Sequence, residues 1–262
     1  MITHDMGEGT PLVMIHGFAV DSRIMLALED TVDFTGWRRI YVDLPWTEPG
    51  HDESLASAQA VLEKLSEELK DLLGNTPFAV VGNSFGGMLA RSIAHSFGDQ
   101  VLGLATIAGV FEPDESARRV PEKRVILRDE KVLEEAGEHA EDFEDLAVIH
   151  TPQALHGYME RVFPAGQEAD KKVMKAISES YSLDHHPEAE AEQPYDLPSL
   201  HLMGRQDHVL GFKDTLAWID HYTRGSFVVL DGVGHNLHLE KPELISTHLQ
   251  DWLGALRQHH DL

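Results

Sequence analysis

The sequence predicts an α/β fold, a mostly parallel, doubly wound sheet with a helical insertion before its penultimate strand. Three observations predict it. Short apolar runs rich in β-branched residues alternate with amphipathic helical patterns, as buried parallel strands and their crossover helices do. One run, Phe78-Ala79-Val80-Val81, turns through a glycine cluster straight into a helix. The alternation stops after Gly109 and resumes only at Ser199. With 262 residues, 42% of them hydrophobic, the chain can bury a sizeable core as one large domain or as a domain with an insertion.

Taken in order, Thr3 to Met6 is a candidate edge strand and residues 7–11 a turn. Leu12-Val13-Met14-Ile15 is a buried strand ending in His16-Gly17-Phe18, and Ser22 is placed to cap a helix reaching Leu28. Ile40-Tyr41-Val42-Asp43-Leu44 is the next core strand, followed by a loop holding Pro45 and Pro49. Ser54 is read as the N-cap of a helix with Leu55, Ala58, Val61, Leu62, Leu65, Leu69 and Leu72 on its apolar face, ended by Gly74. After residues 78–81 comes a helix with Leu89, Ile93 and Phe97 at helical spacing, then a strand over 101–108. Residues 110–195 carry no strong strand. Helical segments near 131–149, 152–162 and 168–181 are charged and hold the aromatics Phe143, Tyr158, Phe163 and Tyr181. The strand 199–204, a helix over 213–222 and a last strand 227–230 restore the rhythm. Pro242 opens a final helix with Leu244, Leu249, Trp252 and Leu253 inward. The expected division is a core of 1–109 and 196–262 with an insertion of 110–195.

Composition narrows the function. The chain has no cysteine, which removes disulfides and thiolate metal sites and fits a reducing compartment. Its N-terminus lacks a basic region followed by an apolar run, and no stretch approaches the roughly 20 apolar residues of a membrane span, so a cytoplasmic location is expected. The formal net charge of −24, from 45 acidic and 21 basic residues, disfavours nucleic acid and anionic membrane surfaces as partners. Much of the excess lies between Glu112 and Glu192. It reads as a solvated acidic surface, with adaptation to high salt as the sharper alternative. Monomer and homodimer both stay open.

Gly82-Asn83-Ser84-Phe85-Gly86 is a G-x-S-x-G pattern. Alone it is weak, since a Gly-rich turn with a capping serine looks the same. Here an apolar strand precedes it and an amphipathic helix follows, so Ser84 is forced to the tip of a tight turn beside the unpaired N–H groups of a helix start. Two further polar residues close strands, Asp207 and His235, and ligands bind at the carboxyl ends of strands in open parallel sheets. A serine hydroxyl needs a base to become a nucleophile, an imidazole can supply it near neutrality, and a carboxylate can hold the imidazole in the right tautomer. Asp231, Glu112 and Asp114 compete with Asp207 for the acid. His208 and His238 read as structural or exposed. The His185-His186 pair lacks a third ligand at helpful spacing and reads as linker, so no metal site is expected.

The order Ser84, Asp207, His235, with His16-Gly17 after the first core strand, Gly82 to Gly87, Gly204-Arg205-Gln206-Asp207, and Gly234-His235 followed by Glu240-Lys241-Pro242-Glu243, resembles the α/β-hydrolase fold superfamily over nearly the whole chain. The resemblance implies that residues 110–195 form a lid, or cap, over the active site. It adds the backbone N–H of Phe18 to that of Phe85 as oxyanion donors, and casts His16 as a prop of the oxyanion loop. Tyr158 and Phe163 are candidates for the substrate pocket or for helix core. One departure stands out. Asp43-Leu44-Pro45 is followed by Trp46-Thr47-Glu48-Pro49 before Gly50-His51-Asp52-Glu53-Ser54, where relatives often run directly into Gly-His-Gly-x-Ser. The resemblance implies a serine hydrolase acting on a small carboxylic ester or related acyl compound, with no metal or organic cofactor. Hydrolysis of a carbon–carbon bond, as in meta-cleavage product hydrolases, of a lactone or of a thioester remains compatible, as does a non-catalytic receptor on the same fold.

Overall fold

A computed structural model describes residues 1–47 and 54–262. Residues 48–53 of the variant loop, from Glu48-Pro49 through Glu53, lie outside the described residues. Among the described residues seven strands form one sheet in the order β1-β3-β2-β4-β5-β6-β7. They are β1 (Ile2–Met6), β2 (Thr10–Ile15), β3 (Trp37–Val42), β4 (Phe78–Asn83), β5 (Val101–Ile107), β6 (Ser199–Gly204) and β7 (Gly225–Leu230). Among the described residues only β1 runs antiparallel, against β3 at the edge, and every other strand pairing is parallel.

The central strands are apolar on both faces because both faces are covered. Leu12 and Met14 of β2 enter the layer formed with α1 (Arg23–Leu26) and the C-terminal helix, while Val13 and Ile15 enter the layer on the opposite face. That opposite layer is built by α2 (Ala58–Leu73) and α3 (Phe85–Ser96). Burial at two-residue alternation therefore yields two cores with one sheet between them.

Between β5 and β6 lie α4 (Glu130–Ala136), α5 (Ala140–Leu146), α6 (Pro152–Gly157), α7 (Phe163–Glu168), α8 (Lys171–Glu179) and α9 (Pro187–Glu190). Val132, Leu133, Phe143, Leu155 and Tyr158 give this insertion a small apolar cluster of its own. After β6 come α10 (Lys213–Leu216), then, past β7, α11 (Leu237–Glu240) and α12 (Pro242–His260). Among the described residues no helix is long and apolar enough to cross a membrane.

Several element ends differ from the sequence reading. The cap of α2 is Ser57, whose hydroxyl accepts from Ala60 N at 3.1 Å, rather than Ser54. The face of α2 continues to Leu73, and Leu72 is exposed. Leu244 likewise points outward from α12, while Leu249, Trp252 and Leu253 are buried as expected. The single helix expected over 131–149 is broken at Gly137, which has a positive φ of 59°, into α4 and α5. Conversely, α6 and α7 join through a π-helical turn, Tyr158–Val162. Pro164 sits just after that turn, where a regular helix would press its ring on the carbonyl four residues back.

Candidate active site

The turn from β4 into α3 fixes Ser84. Its backbone sits at φ 51°, ψ −116°, a conformation that non-glycine residues adopt only when their surroundings impose it. Ser84 N donates to Ile107 O at 3.0 Å, and Ser84 O accepts from Gly87 N and Val110 N at 2.9 and 3.0 Å. Two absent side chains make the turn possible. A Cβ on Gly82 would stand 2.2 Å from Gly86 O, and one on Gly86 would stand 2.3 Å from Ile15 O. Strand, helix and neighbouring strand thus approach to backbone contact, and Ser84 is left at the tip.

The loops after β6 and β7 bring two distant residues to it. His235 Nε2 lies 3.1 Å from Ser84 Oγ, and His235 Nδ1 lies 3.0 Å from Asp207 Oδ2. An ionised carboxylate only accepts, so Nδ1 carries the hydrogen and Nε2 is left to accept from the serine. Asp207 is fully buried. Burial by itself would push its carboxyl up, but the His235 ring and the N–H groups of Leu210 and Val209 outweigh this and hold it below the ordinary carboxylate value. Those two N–H groups reach Asp207 Oδ1 at 3.0 and 2.9 Å. The two loops are laced together by Gln206, which donates to Asp231 Oδ1 and accepts from Gly232 N, each at 2.8 Å. Asp231, the competitor for the acid, is thereby occupied at the surface. Glu240 Oε2 accepts from Gly234 N at 2.8 Å, pinning the residue before His235.

The loop after β2 carries Phe18 beside this group. His16 is buried and staples the loop at both ring nitrogens: Nδ1 donates to Gly17 O at 2.7 Å and Nε2 accepts from Leu44 N at 2.9 Å. Burial pushes its imidazole below the ordinary value, consistent with this neutral, doubly bonded ring. Trp46 adds a second staple, its Nε1 donating to Val20 O at 2.7 Å while its ring packs on Phe18 and Phe85. Phe85 is the first residue of α3, so its N–H has no carbonyl one turn earlier to bond. Among the described residues the Phe18 N–H has no hydrogen-bond partner either.

A sequence profile of the α/β-hydrolase fold matches residues 10–242. The chain belongs to the α/β-hydrolase fold family. It is similar to a crystal structure of an α/β superfamily hydrolase from Oenococcus oeni, at 30% identity and a TM-score of 0.90, covering 97% of this chain and 95% of that one. Among curated relatives, a pimeloyl-[acyl-carrier protein] methyl ester esterase from Shewanella woodyi is 24% identical, with 95% of each chain covered. An (E)-2-((N-methylformamido)methylene)succinate hydrolase from Acinetobacter baylyi is 23% identical over 95% of this chain and 92% of its own.

In this α/β-hydrolase, Ser84 and His235 open into a cavity of about 950 Å³. Phe18, Tyr158 and Phe163 line it, as do Val20 and Ile24 from the core side. Tyr158 also belongs to the apolar cluster of the insertion. Arg118 and Tyr181 are among the wall residues that the sequence did not mark out as pocket candidates. Tyr181 packs its ring edge-on against Phe18, with centroids 5.6 Å apart, and at a tilt against Phe85 at 5.1 Å. Aromatic content flagged Tyr181, but nothing in its spacing sets it apart from a core residue, and Arg118 looks like any arginine in a charged segment. His208 Nε2 donates to Asp145 O, 2.9 Å away, outside the Ser84–His235–Asp207 chain. His185 pairs with Glu190 at 2.6 Å and His186 stacks on Trp218 at 4.6 Å, so both hold the exit of the insertion. A second cavity of similar volume lies far from Ser84, between α2, the end of α3 and the residue 187–197 segment.

Proposed function

We propose that this α/β-hydrolase cleaves small carboxylic esters or related acyl compounds through an acyl-enzyme on Ser84. Ser84 Oγ attacks the carbonyl carbon as its proton passes to His235 Nε2, and Asp207 stabilises the imidazolium at Nδ1. The developing oxyanion accepts from the N–H groups of Phe85 and Phe18; losing one such donor typically costs about 3 kcal/mol of barrier stabilisation. His235 returns the proton to the departing alcohol. It then deprotonates a water that attacks the acyl carbon, releasing the acid and restoring Ser84. Nucleophile, base and oxyanion donors all come from the chain, so the sequence of steps calls for no metal or organic cofactor.

One observation carries this reading: an unbroken hydrogen-bond chain from Ser84 Oγ through both ring nitrogens of His235 to the buried Asp207. The cavity volume lies within the range of small-ligand sites. The methyl ester esterase among the relatives supports ester cleavage as the reaction type. In the same reading residues 110–195 act as the cap, since Tyr158, Phe163 and Tyr181 supply one wall of the cavity, and the cysteine-free chain works in the cytoplasm.

The test is turnover of p-nitrophenyl acetate and butyrate by wild type and Ser84→Ala, with fluorophosphonate labelling alongside. Wild type should hydrolyse at least one ester and take one label, and Ser84→Ala should lose both by several orders of magnitude. Absence of Ser84-dependent turnover and of labelling would leave a ligand-binding role for this site.

A further inference from the structure

Among the described residues Arg118 is the one arginine or lysine on the wall of the active-site cavity, and no carboxylate pairs with it directly, although Asp114 lies near enough to feel its charge. Its guanidinium is half-buried and held by backbone carbonyls: Nε donates to Glu112 O at 3.0 Å and Nη2 to Pro113 O at 3.1 Å. Among the described residues no carboxylate lies within ion-pair distance of it. Arg23, Arg39, Arg91, Arg119 and Arg128 all have one. Carbonyl partners fix where a guanidinium points but leave its full charge, and three of its five N–H donors remain for a ligand. Its position is defined by Tyr181, whose ring lies 5.8 Å from Arg118 Cζ and packs directly on Phe18 and Phe85, the two residues whose N–H groups serve as oxyanion donors. The guanidinium is therefore one aromatic ring away from where the substrate carbonyl would sit.

We propose that Arg118 is a specificity-determining residue that binds a second, free carboxylate on the substrate, so that the preferred substrates are half-esters of short dicarboxylic acids. The inference rests on the ester-hydrolase reading for its catalytic consequence, but the anion subsite stands apart from it. The other charged groups on the wall are Glu115, Asp142 and Asp145, with His208 beside them. All three carboxylates are exposed, and Asp145 is paired with Lys123 at 2.6 Å. They sit in screening solvent and act against anionic groups that project outward, whereas a carboxylate on a short chain reaches the half-buried guanidinium. The site thus selects by position of charge, not by charge alone.

The test compares mono-p-nitrophenyl glutarate with p-nitrophenyl pentanoate, a neutral ester of the same acyl length. Wild type should prefer the glutarate half-ester in kcat/KM, and in Arg118→Gln the ratio of the two kcat/KM values should fall at least tenfold, mainly through KM for the charged ester. Arg118→Lys should retain part of the preference, since a point charge replaces the fork. Binding separates this from the hydrolase reading: free glutarate should raise the melting temperature of Ser84→Ala and not that of Ser84→Ala/Arg118→Gln. If glutarate stabilises the first and not the second while no ester is turned over, the subsite stands and the hydrolase reading fails. If hydrolysis is Ser84-dependent but the substrate ratio stays within twofold in Arg118→Gln, or glutarate affects both proteins alike, the Arg118 assignment is overturned.

Discussion

Glu240 shows how a single buried carboxyl can matter beside a reacting centre it never touches. It is 3% exposed, and its Oε2 accepts from Gly234 N. Burial pushes its pKa up to about 7 against an ordinary 4.5, with nearby Asp207 adding to the rise. Between those values the folded chain keeps a proton that the unfolded chain releases. Stability therefore falls as pH rises through this window, and the cost is fully present above about pH 7. Glu240→Gln cannot ionise and keeps an oxygen for Gly234 N. Relative to wild type it should be more stable at pH 8.5 than at pH 5, by up to roughly 3 kcal/mol. Urea unfolding of both proteins at the two pH values checks this; an identical difference at both would mean that Glu240 ionises as it does in water. The residue was visible in the sequence as part of the run after Gly234-His235. Its burial was not, because the groups beside it include Val148 and Leu146 of the insertion, far earlier in the chain.

Elements meet their partners through contacts that no local pattern reveals. Arg91 stands on α3, two turns beyond Ser84, and is fully buried with its ring-like plane 3.8 Å from the centroid of Phe111. It pairs through both Nε and Nη2 with Glu188 of α9, which also accepts from the Tyr222 hydroxyl. Burial opposes charge on Glu188, yet Arg91 beside it, with His186 and Tyr222, holds its carboxyl well below the ordinary value. Removing one member strands the other in a medium that cannot solvate it. Arg91→Met should cost roughly 3–5 kcal/mol of unfolding free energy, and Arg91→Met/Glu188→Gln should recover more than half of that loss. Chemical denaturation of the two variants decides it; a double variant no better than the single would show that packing, not the stranded charge, sets the cost. Arg91 was hidden inside a helix pattern and Glu188 inside what reads as a linker, 97 residues apart. The parallel strands were legible for the opposite reason: covered on both faces, they are apolar at most positions, as Val13, Val80 and Leu104 are. The order Ser84, Asp207, His235 was legible because each closes a strand and the sheet sends all such ends to one edge. Helix ends in the insertion were not, since Gly137 and Pro164 redirect short helices whose faces are set by one another.

At the scale of the whole molecule the dominant quantity is charge. With 45 acidic and 21 basic residues, the fold is compressed against its own repulsion. Local pairing relieves only part of it: Arg38 with Asp5 and Arg119 with Asp214 hold their partners at 2.5 Å, but carboxylates outnumber cations more than two to one. Repulsion among exposed charges acts over the Debye length, about 10 Å at 0.1 M salt and 3 Å at 1 M. If it limits stability, the melting temperature should climb steeply between about 0.02 and 0.3 M KCl and flatten once the screening length drops below the spacing of surface carboxylates. NaCl should give the same curve, because screening depends on ionic strength and not on the identity of the cation. A flat melting temperature over that range would show that the acidic surface is simply solvated and costs the fold little. A rise that continued without flattening, and differed between K⁺ and Na⁺, would instead point to specific hydrated-ion binding of the kind salt adaptation requires.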